Sequence, residues 1–200
     1  MSNDLFAALE ACDSKRLAQL LDAGSDPNAL QQSYPSWTPL HAAIEALENG
    51  GSVEAIVLLL RHGASPNGWD GARDSTPLLM AIFRGQPAVV RLLLASGADP
   101  NVVGAEGDSP LRWCAERGDL DGAALLLRCG AARTIDSFGG PTGMTALGQA
   151  ASSLRLEMIE LLISEGADVQ ALDGDQRTAH DRLPQEHSPA RESASRLLSG

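Results

Sequence analysis

The chain has 200 residues, with 15 basic and 26 acidic side chains and a formal net charge of −11. Both halves are acidic, so no single tail carries the charge; such a field repels nucleic acid and attracts basic protein surfaces. No apolar run approaches the roughly 18 residues of a membrane span, and three scattered cysteines (Cys12, Cys114, Cys129) form neither a disulfide framework nor a metal cluster.

The expected elements follow one another as variations on a single pattern. Residues 3–28 begin with NDLFAALEACD, which reads as a helix without a leading turn, and close on DAGSDPN. Residues 29–67 carry a loop, then TPLHAAI from Thr38, a leucine run IVLLLRHG and the close GASPN. Residues 68–101 repeat this order with TPLLMAI from Thr76, VVRLLLASG and GADPN. Residues 102–134 do so with SPLRWCA from Ser109, GAALLLRCG and GAART. Residues 135–170 follow with TALGQAA from Thr145, MIELLISEG and GADVQ. Residues 171–200 open with TAHDRL from Thr178, pass through the polar stretch PQEHSPARES and end on SASRLLSG. The glycines Gly24, Gly63, Gly97, Gly130 and Gly166 are spaced 39, 34, 33 and 36 residues apart.

Each landmark has a physical reason. A Thr or Ser caps a helix through its hydroxyl, and proline is tolerated in the first turn, where its missing N–H costs nothing. The leucine runs have helical spacing, as in Val89, Val90, Leu92, Leu93 and Leu94. The glycine that follows falls just past the helix end, where a left-handed conformation is wanted. The period is broken once: Thr38 to Gly63 spans 25 residues, whereas the next three repeats span 21. The extra turn lies in EALENGGSVE and lengthens either the first helix or the connection. The loops that lead to each Thr or Ser also vary, and TIDSFGGPTGMT is the longest.

This pattern resembles the ankyrin repeat over essentially the whole chain. The resemblance implies an all-α solenoid of stacked helix–turn–helix repeats with β-turn finger loops, in one domain over 1–200. Six repeats are expected (3–28, 29–67, 68–101, 102–134, 135–170 and 171–200), the first and last in the manner of solvated caps. It also implies a non-enzymatic protein-binding module that uses a concave helix face and the fingers. On that register Glu45, Phe83, Arg84, Glu116 and Arg117 face the groove. Tyr34, Trp37, Trp69, Arg73, Asp74, Val103, Glu106, Asp108 and Phe138 lie on the fingers.

Other chemistry is weighed against this. His41 has a TPLH setting with no base or nucleophile fixed near it by spacing, so a structural role outweighs catalysis. Cys114 and Cys129 fall in small apolar positions and read as buried thiols, and Trp113 as a core residue. His62 sits near a helix C-terminus, where it complements the dipole. The expectation is a cytoplasmic, monomeric module without cofactor or metal, binding a basic protein but neither nucleic acid nor membrane, with an inhibitor or immunity-type role as its narrower form. A small hydrolase using His41 or a cysteine, and a self-associating scaffold, are the competing readings.

Overall fold

The four middle repeats each start where a hydroxyl side chain precedes a helix. The structure, a computed structural model, describes residues 2–199. Its helices are α1 (Ser2–Glu10), α2 (Ser14–Asp22), α3 (Pro39–Ala46), α4 (Val53–Arg61), α5 (Pro77–Phe83), α6 (Pro87–Ala95), α7 (Pro110–Arg117), α8 (Leu120–Arg128), α9 (Ala146–Ser152), α10 (Leu156–Ser164) and α11 (Pro189–Leu198). The side chains of Thr38, Thr76, Ser109 and Thr145 accept the N–H of His41, Leu79, Arg112 and Gly148, satisfying a donor that the first helical turn leaves unpaired.

The second helices end alike. In α4 the Gly63 N–H donates to the Leu60 carbonyl at 3.1 Å and the Ala64 N–H to the Leu59 carbonyl at 2.9 Å. The same pair of bonds recurs at Gly97–Ala98 and Gly166–Ala167. Gly63, Gly97 and Gly166 have φ of +87°, +89° and +97°, a conformation that a Cβ disfavours. The alanines that follow are buried, so the Gly-Ala pair turns the chain and then plugs it onto the helix just completed.

The chain divides into two compact halves, Met1–Asp99 and Pro100–Gly200. In the first, α1 packs on α2 and α3, and α3 packs on α4 and α5. Leu5, Leu17, Leu40, Ile44, Ile56, Leu59 and Leu93 are almost wholly buried there. In the second, α7 packs on α8 and α9, α9 on α10, and α10 on α11, around Leu111, Leu126, Leu147, Ile159 and Leu162. Burial of each such side chain contributes roughly 1.5–3 kcal/mol.

Successive repeats are also tied by one polar device. Asn28 donates from Nδ2 to the Gly63 carbonyl at 3.0 Å and accepts the Ser65 N–H on Oδ1 at 2.7 Å. Asn67 does the same with the Gly97 carbonyl (2.9 Å) and the Asp99 N–H (2.8 Å). In the second half, Asn101 donates to the Gly130 carbonyl at 2.8 Å. A 3-10 turn, Ala131–Thr134, follows Gly130. Two residues beyond it, Asp136 takes the corresponding place and accepts the Asp168 N–H at 3.0 Å.

The break in period resolves as a connection, not a longer helix. α3 keeps the length of its counterparts, and a 3-10 turn (Leu47–Asn49) continues it to Gly50, at φ +89°. Residues 135–145 contain a short antiparallel hairpin, β1 (Phe138–Gly139) with β2 (Met144–Thr145), in which Phe138 faces Thr145. In the last repeat the first helix shrinks to a 3-10 turn, His180–Arg182. The polar stretch PQEHSPARES is not all loop: α11 starts inside it at Pro189, capped by the Ser188 side chain.

Two substitutions test this construction by urea denaturation. Gly97→Ala has no steric conflict around the new Cβ, so its cost is conformational, about 1–2 kcal/mol. Asn67→Ala removes both bonds to the next repeat and should cost about 1–3 kcal/mol; an unchanged midpoint in either variant would contradict the assignment.

Candidate interaction surface

The finger loops are built by a carboxylate or a glycine that folds the chain on itself. Asp70, buried, accepts the Asp74 N–H at 2.9 Å, and its own N–H donates to the Ser75 carbonyl at 3.1 Å. Asp173 repeats this, accepting from the Asp175 and Arg177 N–H groups, and adds Arg182 at 2.6 Å. Burial raises the Asp173 pKa, but these donors outweigh it and hold the carboxyl below its ordinary range. The fourth residue of each such loop takes positive φ: Arg73 at +61°, Gly107 at +82° and Gln176 at +60°.

Neighbouring fingers then join through backbone. Gly71 donates to the Ser36 carbonyl at 2.8 Å in the first half. Gly140 donates to the Glu106 carbonyl at 2.6 Å, and Gly174 to the Gly143 carbonyl at 2.9 Å, in the second. The approach is close enough that a Cβ on Gly139 would collide with the Gly107 backbone.

On this frame the expected site residues fall into three groups. Tyr34 is 96% exposed and Phe138 is 52% exposed; Val103, Arg73, Asp74 and Glu106 are exposed as well. Trp37 and Trp69 are half-buried. The helix-end residues are engaged with one another. Arg84 bridges Glu45 at 2.6 Å and Glu48 at 3.2 Å, and lies 5.7 Å from the Phe83 ring, which stays 48% exposed. Glu48 belongs to the inserted turn, which therefore clamps the next repeat's first helix. In the second half Arg112, wholly buried at the register of His41, is held between Asp108 and Glu116. Trp113 is not core: it is half-buried, with Arg112 at 5.2 Å and Arg117 at 5.7 Å from its ring.

The sequence reading passed over two residues. Leu30 and Leu172 are 46% and 47% exposed on the leading loops. They stand two residues after Asn28 and Gln170, as Val103 does after Asn101 and Phe138 after Asp136. The shared register was the available signal.

The alternative chemistry is held in unreactive settings. His41 is buried, its Nδ1 2.7 Å from the Thr38 hydroxyl. Burial lowers its pKa to about 4, while the Asp70 charge and the Ser75 backbone act in the opposite direction. Cys114 is buried and its thiol is pushed up to about 12, mainly by burial. Cys129 is exposed, not buried as its apolar neighbours suggested, because it lies beyond the last turn of α8. His62, at the end of α4, pairs with Asp22 at 3.6 Å. Among the described residues no helix is long and apolar enough to cross a membrane, and no cluster of His, Cys, Asp or Glu could hold a metal ion.

A family model described as "Ankyrin repeats (3 copies)" matches residues 5–103 and 96–173. Human NF-kappa-B inhibitor alpha is 31% identical over 156 residues, 76% of this chain and 49% of that protein. Human B-cell lymphoma 3 protein is 31% identical over 137 residues, 68% of this chain and 30% of its own length. The chain thus spans half or less of these two relatives. Among solved structures, the ankyrin-repeat protein EF0377 aligns with a TM-score of 0.81 at 25% identity, covering 100% of this chain and 98% of that one. A chain from the complex of the Bdellovibrio bacteriovorus endopeptidase Bd0816 with the immunity protein Bd3460 shares the fold. It has a TM-score of 0.74 at 24% identity, covering 99% and 97%.

His41 yields a pH prediction. Its folded pKa is depressed from 6.5 to about 4, so the unfolded chain binds the extra proton between those values. The associated stability is complete above about pH 6.5 and is lost as pH falls toward 4, on the order of 3 kcal/mol. His41→Leu, which installs the residue found at Leu79, should flatten that part of the stability–pH curve. Equal slopes for both proteins in urea titrations would contradict it.

Proposed function

Because the chain belongs to the ankyrin-repeat family, whose repeats are protein–protein interaction modules, we propose that it holds a basic partner protein against its fingers and first-helix ends, with no chemistry of its own. The observation that carries this reading is where its exposed large apolar side chains lie. Of the eight among the described residues, five (Leu30, Tyr34, Val103, Phe138 and Leu172) are on leading loops, and Phe83 ends a first helix. Exposed aromatics on rigid loops are the residue type that anchors interfaces. They are set in a chain of net charge −11, which steers a basic surface toward them.

The narrower reading is an inhibitor or immunity-type role, in which the module occludes a basic toxin or enzyme. Its support is the acidity, the compact size and the likeness to a relative named as an inhibitor. The three cysteines are free, which suits a reducing cytoplasm. The hydrolase reading has no support of its own, since His41 and Cys114 are both buried and held in their unreactive forms.

The test is affinity capture from native extract by the wild type and by a Tyr34→Ser, Phe83→Ser, Phe138→Ser triple variant. All three positions are exposed, so the fold should tolerate the changes. The reading predicts a partner whose capture weakens about tenfold or more in the variant and falls as salt rises. Capture that ignores both the substitutions and the salt would overturn it.

A further inference from the structure

Within the second half, the fingers of the fourth and fifth repeats leave an open groove lined by Val103, Ala132, Arg133, Ile135, Asp136, Ser137 and Phe138. Val103 and Phe138 stand 41% and 52% exposed on its two sides, and Ile135 is buried beneath. The groove therefore has apolar walls and one half-buried carboxylate, Asp136, with the exposed Arg133 also on its lining.

That carboxylate is out of keeping with the rest of the fold. At the corresponding place the other repeats use a neutral amide, Asn28, Asn67 and Asn101, to bridge to the next repeat. Asp136 makes only the acceptor half of that bridge, to the Asp168 N–H at 3.0 Å. Among the described residues Asp136 has no ion pair, and its one hydrogen bond is that to the Asp168 N–H. Burial raises its pKa, the Asp168 N–H bond acts in the opposite direction, and the Asp168 carboxylate adds to the rise. A partly desolvated anion beside another anion costs stability, and the Asp168 N–H bond offsets only part of that cost. Asparagine would serve the fold better, so the charge points outward, to something that is not part of this chain.

We infer that the groove between Val103 and Phe138 is a docking site for an apolar side chain that a partner protein carries next to an arginine or lysine, with Asp136 receiving the cation. The inference rests on the protein-binding reading above and gives it one location and one partner chemistry. Charge complementarity selects the occupant: the apolar walls accept the side chain, and the unpaired carboxylate prefers a cation over an anion beside it. A bidentate guanidinium would find one oxygen of Asp136 engaged by Asp168 and the other open, so a single charge-assisted hydrogen bond is expected.

The probe is small and defined, so the test does not depend on finding the partner. Isotope-labelled full-length protein is titrated with N-acetyl-phenylalanyl-arginine amide and with N-acetyl-phenylalanyl-glutamate amide, and backbone amide shifts are followed by NMR. Expected are saturable shifts at Val103, Ser137 and Phe138, with millimolar affinity for the arginine peptide and at least about threefold weaker binding of the glutamate peptide. Asp136→Asn keeps the acceptor for Asp168, so it should fold; it should abolish the preference while leaving a residual response to phenylalanine. Equal affinity for both peptides, or no saturable shift at these amides, overturns the proposal. Concentration-dependent shifts there without any peptide would assign the groove to a second copy of the chain and overturn it too. Partner capture by the wild type, followed by an absence of peptide preference, would refute the groove alone and leave the binding reading intact.

Discussion

The side-chain amides that follow the turns closing the first three repeats, Asn28, Asn67 and Asn101, are the interaction on which this fold depends. An ankyrin repeat buries one hydrophobic face against its neighbour, but its loops are polar and have no such face. Asn28 and Asn67 solve this by donating to one backbone group of the next repeat and accepting from another. An amide can do both at once from two separate atoms, donating from its nitrogen and accepting on its oxygen, whereas an ionised carboxylate can only accept. Loop conformation is thereby set by the repeat that follows, and the finger above each amide inherits a fixed base.

Where the repeat departs from its own pattern, the chain supplies another way to satisfy the same groups. At the register of His41 it places Leu79, Arg112 and Gly148. His41 remains neutral on the Thr38 hydroxyl, and Arg112 stays charged between Asp108 and Glu116. The inserted turn after α3 brings Glu48 to Arg84, adding a clamp in the first half. Asp136 is different in kind. It fills the amide's place with an acid, keeps one of its two bonds and brings no counter-ion.

Much of this architecture was legible in the sequence because it is local. Thr38, Thr76, Ser109 and Thr145 act on donors three residues away, and Gly63 or Gly97 turns the chain within one residue of the helix end. The amide bridges were not legible, since they join residues 29 to 37 positions apart. GADPN by itself reads only as a turn. Arg84 and Glu45 were expected to face a partner, yet they pair with each other across two helices that sequence alone does not bring together. Cys129 and Trp113 were misjudged for one reason: an apolar neighbourhood in sequence says little about which side of a short helix end faces solvent. Tyr34, Val103 and Phe138 lie exposed on loops as anticipated, and Leu30 and Leu172 extend the set at the same register.

A binding surface made of loops is useful only if the loops are held before the partner arrives, because ordering them on contact subtracts from affinity. The amide bridges and the finger-to-finger bonds at Gly71, Gly140 and Gly174 are what hold them here. Native-state hydrogen exchange measures this most directly, through the amides of Ser65, Asp99 and Asp168, which side chains accept, and of Gly71, Gly140 and Gly174, which join the fingers. The account predicts that all six exchange far more slowly than freely exposed loop amides in the unliganded protein. Exchange at the unprotected rate across these six would mean that the loops are not preformed, and would contradict it.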